Sequence, residues 1–196
     1  MPLHPTGVRI LGISGSLRVG SINTQLLHAA VAAAPVGVEI SAWDGLRGIP
    51  PFNEDDEADP GPDVMQLRTL LDDADGLLIA TPEYNGSLPG QLKNAIDWAS
   101  RPYGAGALTG KPVAVIGASP APSGTSGAQA SAHTALGAAG AAVAETSLAI
   151  PNAAADFSTA TVLQNAELRS GLTAALEGLL ALIATRTARV APVSGV

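Results

Sequence analysis

An α/β fold, arranged as an open three-layer sandwich around a five-stranded parallel sheet, is predicted by three observations. Short apolar, β-rich runs alternate five times with segments of helical periodicity. Each helical segment supplies the dozen or more residues that a crossover between parallel strands requires. The first, third and fourth runs are nearly free of polar residues, as expected for strands covered by helices on both faces.

The first strand is VRILGI over 8–13, ending in Ser and Gly. A helix follows over 22–34, with Ile22, Leu26, Leu27, Ala30 and Val31 on one face. Residues 38–43 make the second strand, and 62–73 a helix with Pro62 in its first turn, where the missing N–H costs nothing. GLLIA over 76–80 is the third strand, and 88–100 the next helix. Strand four occupies 113–117, a helix 126–139, strand five 142–150 and a last helix 163–185. In that last helix Leu168, Leu172, Leu176, Leu179 and Ile183 form a core stripe. Residues 1–6 and 190–196 read as flexible tails on one domain spanning 1–196.

The chain has 196 residues, 22 Gly, 15 Pro, no Cys and a formal charge of −7. Without cysteine there is no disulfide framework, thiolate metal site or thiol nucleophile. Acidic balance argues against nucleic acid or an anionic membrane as partner. No uninterrupted apolar run approaches the ~18 residues needed to span a bilayer. The first six residues lack the basic and apolar regions of a signal peptide. A soluble, cytoplasmic protein is expected. His4, His28 and His133 have no His partner at i+4, so no metal site is expected.

In open parallel sheets ligands bind beyond the carboxyl ends of the strands, at the switch point of strand order. The loops to read are therefore 14–23, 44–61, 81–90, 118–127 and 151–158. No Asp or Glu stands between Arg9 and Glu39, nor between Trp98 and Glu145. Acids gather instead at Glu54, Asp55, Asp56, Glu57, Asp59 and Asp63, in a long solvated loop from which Phe52 could reach the pocket. Clearing acids from two strand-end loops leaves room for an anion.

The first loop, SGSLRVGSIN over 14–23, lies between a strand and a helix N-terminus, where free N–H groups favour an anion. Gly15 and Gly20 let the backbone fold closely, Ser16, Ser21 and Asn23 offer donors, and Arg18 adds a forked cation. The plainer reading makes Ser21 a helix cap and the glycines turns. Gly15 to Ser21 resembles a P-loop without its Lys, and neither GxGxxG nor GxSxG is present. The third loop, TPEYNGSLPG over 81–90, is stiffened by Pro82 and Pro89. With one aromatic and the amide of Asn85 it suits the flat polar edge of a heterocycle; alternatively it is a rigid connection with Ser87 capping the helix.

GSLRVGSIN, followed about sixty residues later by TPEYNGSLPGQLKNAIDW, resembles the NADPH-dependent FMN reductase family of quinone, azo-dye and chromate reductases. The resemblance covers nearly the whole chain. It implies a flavodoxin-like fold, bound FMN, NADPH or NADH as co-substrate, a small-molecule electron acceptor, and a homodimer or homotetramer. It implies phosphate contacts from Ser16, Arg18, Ser21 and Asn23, counts Ile22 among the cofactor-binding residues, and places Pro82, Glu83, Tyr84 and Asn85 beside the isoalloxazine. The family's third binding loop is Gly-rich. Here two prolines depart from that pattern, and Ser119, Ser123 and Gly124 take its place at the flavin. No catalytic side chain is expected, since the flavin carries the chemistry. A flavodoxin-type electron carrier or flavin sensor is the alternative; Arg18 in the phosphate loop argues against the carrier. Leu92, Ile96 and Trp98 spread apolar surface around their helix, which predicts a second chain over the 88–103 region.

Overall fold

The computed structural model describes residues 7–190. Its elements run β1 (Val8–Ser14), α1 (Ile22–Ala32), β2 (Val38–Trp43), α2 (Pro62–Asp73), β3 (Gly76–Ala80), α3 (Gly90–Ala99), β4 (Pro112–Ala118), α4 (Ser126–Ala138), β5 (Ala142–Val143), β6 (Leu148–Ile150), α5 (Thr159–Gln164) and α6 (Ala166–Val190). Of the expected tails at 1–6 and 190–196, Val190 ends α6, and the rest, with His4, lies outside the described residues.

All strand pairings are parallel, in the order β2-β1-β3-β4-β5, with β6 also against β4. Side chains on successive residues of β3 and β4 point to opposite faces. Leu78, Ala80, Ala114 and Ile116 join Leu26, Leu27, Leu172, Leu176 and Leu179 under α1 and α6. Leu77, Ile79, Val113 and Val115 join Val64, Leu67, Leu92, Trp98 and Leu136 under α2, α3 and α4. These two apolar layers make the sheet a wall with two buried faces, and its polar chemistry can emerge only at the strand ends.

The expected fifth strand is two strands, which makes six among the described residues. Five residue steps from Val143 to Leu148 oppose three from Val113 to Ile116. The surplus, with exposed Glu145, Thr146 and Ser147, bulges outward at the sheet edge, where no further strand constrains it. The expected helix over 163–185 is likewise divided. Asn165 adopts an extended backbone that ends α5, and its Oδ1 then accepts from the amides of Glu167 and Leu168 at 3.0 and 3.1 Å, capping α6. By length and composition alone α6 could cross a bilayer, but here its apolar stripe lies on β3 and β4. On α1 the buried face is Leu26, Leu27, Ala29 and Ala30, whereas Val31 is exposed.

Candidate functional site

After β1 the chain lays β2 on one side and then returns to lay β3 on the other. That reversal is the switch point of the sheet, and the loops leaving β1 and β3 diverge there to open a cleft. Ser16, Arg18, Ser21, Ile22 and Asn23 line it from the β1–α1 loop, and Pro82, Glu83 and Tyr84 from the β3–α3 loop. The loop after β4 adds Ala118, Ser119 and Pro120, closing a volume of about 140 Å³. Nine of the twelve expected binding residues therefore meet at one place.

Glycine makes this convergence possible. A Cβ on Gly15 would stand 2.8 Å from Leu92 Cδ2 and 3.3 Å from Thr81 Oγ1, so only Gly lets the first loop press against the third. A Cβ on Gly117 would collide with Thr125 Oγ1 and the Thr81 carbonyl.

Ser21 is the N-cap of α1, its Oγ accepting from the amides of Asn23 and Thr24 at 3.2 and 3.3 Å. That occupies oxygen lone pairs and leaves the hydroxyl proton for the cleft. The amides of Leu17, Val19, Gly20 and Ile22 have no acceptor among the described residues. Arg18 is exposed, held only by a 3.4 Å contact from Nη2 to the Gly20 carbonyl. Free N–H groups, a hydroxyl and an unrestrained guanidinium at a helix start are donors to an anion.

Asn23 serves differently from the expected phosphate donor. Its Nδ2 donates to the Ala118 carbonyl at 3.0 Å, and its Oδ1 accepts from the Ala118 amide at 2.9 Å. The buried amide thus ties the start of α1 to the end of β4, and only one N–H is left over. Glu83 is also a tie, since its Oε2 accepts from the Ala128 amide at 3.0 Å in the first turn of α4.

Asn85 and Gly86 both have positive φ, 53° and 73°, between mutually hydrogen-bonded Tyr84 and Ser87. This is the backbone of a type I′ turn, for which Asn-Gly is the preferred pair. Asn85 lies at its exposed tip, outside the cleft lining, and Ser87 caps nothing. The Ser87 Oγ pairs with Ser131 Oγ at 2.9 Å, while Pro89 stands at the start of α3. Ser123 and Gly124 are outside the lining as well. Gly124, at φ 61°, packs where a Cβ would meet Ile150 and Pro151 backbone at 3.3 Å. The structure thus puts Asn85, Ser123 and Gly124 in turns, and Ala118 and Pro120 at the cleft. Ala118 was foreseeable only as a strand-end position.

The 44–61 segment is fastened to α3 rather than free in solvent. Gln91 Nε2 donates to the Leu46 and Ile49 carbonyls at 2.9 and 2.8 Å, and Trp98 Nε1 to the Pro50 carbonyl at 2.8 Å. Phe52 meets Trp98 edge-on at 4.9 Å instead of the cleft, with Arg101 5.2 Å above its ring. Leu92, Ile96 and Trp98 are all buried within the chain. The apolar surface expected to need a second subunit is therefore covered by the protein's own loop.

Strand order, cleft position and the loops that build it define a flavodoxin-like domain. The chain matches the NADPH-dependent FMN reductase family over residues 8–155 and belongs to it. It is 50% identical over 123 residues to an NAD(P)H-dependent FMN reductase of Pseudomonas aeruginosa, covering 62% of this chain and 65% of that one. With a 2-hydroxy-1,4-benzoquinone reductase of a Burkholderia species it shares 45% identity over 122 residues, 62% and 66% of the two chains. Both alignments span just under two thirds of the relative's length. The structure is similar to FerB, a flavoenzyme NAD(P)H:(acceptor) oxidoreductase of Paracoccus denitrificans, with a TM-score of 0.72 and 34% identity over 87% of this chain and 98% of that one.

Proposed function

We propose that this single-domain protein is an FMN-dependent NAD(P)H oxidoreductase. In this reading it passes electrons to a small acceptor: a quinone, an azo compound, free flavin or an oxidised metal ion. One observation carries the reading: the anion-binding first loop, with Arg18, faces the proline-stiffened third loop across a single cleft at the sheet's switch point. When bound, FMN supplies the redox chemistry, accepting a hydride from NAD(P)H and giving two electrons to the acceptor.

The protein's part is placement. Ser16, Arg18, Ser21 and the open amides of the first loop hold the phosphate, while Pro82 and Tyr84 border the ring. Asn23 and Glu83 act at one remove: the first fixes the phosphate loop to β4, the second fixes the hairpin to α4. Dependence on NAD(P)H points to the cytoplasm, and the family resemblance to a homodimer or homotetramer.

The visible spectrum of purified protein, followed by NADPH and NADH oxidation with a panel of acceptors, tests this. A flavin spectrum with steady acceptor-dependent turnover is expected. Bound flavin without turnover would make the protein an electron carrier or sensor instead.

A further inference from the structure

On the far side of the first loop lies a second and larger cavity, of about 460 Å³. It shares Ser16 and Arg18 with the flavin cleft, so the two hollows are separated only by that loop. Its other wall is the segment after β2, and His28 of α1 closes one side. The volume falls in the range of small-molecule sites.

Its chemistry is distinctive for an acidic chain. Two guanidinium groups, Arg18 and Arg47, and the His28 imidazole line it, against one carboxylate, Asp44. Arg47 is held in place by a 2.7 Å bond from Nη2 to the Leu17 carbonyl, which leaves its other N–H groups for a ligand. Asp44 caps no helix with its side chain. The Trp43 indole forms a further part of the wall, and a Cβ on Gly45 would strike that ring, so Gly45 lets the ring pack close to the backbone. With Arg18 given to the flavin phosphate, the Arg47 guanidinium and the His28 imidazole remain as donors to a second phosphate, and an indole offers a stacking surface for a base.

We propose that this cavity binds the 2′-phosphorylated adenosine end of NADPH, with Arg47 as the residue that selects the 2′-phosphate. The inference rests on the nicotinamide-dependent reading above. Because the hollows share the Ser16–Arg18 wall, the adenosine end would lie beside the flavin cleft. Asp44 opposes the phosphate and tempers the preference.

Adenosine 2′,5′-bisphosphate and 5′-AMP are the probes, titrated calorimetrically into the FMN-loaded protein. The bisphosphate should bind at least tenfold more tightly than 5′-AMP. Arg47→Ala should weaken the bisphosphate about tenfold, leave 5′-AMP binding in place, and raise KM for NADPH more than for NADH. Arg47→Lys should restore part of the loss, and Asp44→Asn should tighten the bisphosphate. Equal affinity for the two probes, or a bisphosphate affinity indifferent to both Arg47→Ala and Asp44→Asn, overturns the proposal. A protein that oxidises neither nicotinamide would remove the functional reading, while the calorimetry still decides the cavity.

Discussion

Asn23 grips both backbone groups of Ala118, donating to its carbonyl at 3.0 Å and accepting from its amide at 2.9 Å across 95 residues of sequence. Both partners are buried. The bond makes the geometry of the phosphate loop depend on the end of β4. Asn23→Ala would orphan two buried backbone groups, at about 1–3 kcal/mol each. A loss of about 2–4 kcal/mol in unfolding free energy is expected by urea titration, together with weaker FMN binding. Asn23→Asp should rescue little, because its carboxylate would face the Ala118 carbonyl. Unchanged stability in Asn23→Ala would show that the clasp is incidental.

Among the described residues Arg18 has no side-chain partner stronger than a 3.4 Å contact to the Gly20 carbonyl. Its removal therefore tests binding with little effect on folding. Arg18→Ala should weaken FMN by about 1.5–3 kcal/mol, the range for a charge-assisted hydrogen bond, or roughly ten- to a hundredfold in Kd. Arg18→Lys should recover part of this, since a point charge replaces a forked donor. FMN should also bind better than riboflavin. If fluorescence titration finds one Kd for both flavins, or the same FMN Kd in the parent and in Arg18→Ala, the loop holds no phosphate.

Assembly needs a different warrant from the one the sequence suggested. Trp98 is buried against Phe52 and Pro50 of its own chain, so α3 does not demand a partner. The family resemblance still implies a homodimer or homotetramer. Light scattering at micromolar concentration should give at least twice the 19.5 kDa of one chain. A mass of one chain with full activity would defeat that expectation.

Local signals and long-range contacts explain which features could be read in advance. Strands β2 and β3 and helix α2 have the bounds that periodicity and Pro62 set. The cleft emerged from strand-end placement because loop chemistry and the carboxyl end of each strand are both read locally, whatever the strand order. Asn23 reads from the sequence as a hydrogen-bond donor to the phosphate, but its partner Ala118 is 95 residues away and leaves no local trace. Asn85 carries a strong turn signal next to Gly86, and the structure uses it for that turn. The 142–150 run reads as one strand because periodicity cannot show that its edge position tolerates a bulge at Glu145 to Ser147. Cover for Trp98 comes from residues 50–52, again invisible in the helix's own pattern.

Lys111 gives a test of stability far from the cleft. It is buried at 2% exposure where β4 begins, its Nζ donating to the Leu71 carbonyl and, at 2.6 Å, to the Ala74 carbonyl. It thus caps the C-terminus of α2, where a cation is favoured. Burial pulls its pKa from 10.5 down to about 8; Arg186 and Arg9 push the same way, and Asp72 and Asp75 oppose them. Folding therefore weakens proton binding. Below about pH 8 folded and unfolded chains both carry the proton, and the group adds no pH dependence. Between about pH 8 and 10.5 the unfolded chain holds more protons, so stability rises with pH through this window. The neutral amine still has two N–H groups for the two carbonyls. Lys111→Met removes the titration, leaves the Ala74 carbonyl unpaired and leaves the Leu71 carbonyl with only its 3.3 Å bond from the Ala74 amide, so it should be less stable at pH 7 by about 1–3 kcal/mol. Its deficit relative to the parent should then widen between pH 8 and 10, by on the order of 2–3 kcal/mol. Paired urea titrations across that range measure the difference, in which titrations common to both proteins cancel. A deficit that stays constant or shrinks as pH rises would mean that Lys111 is not destabilised as a cation by its burial.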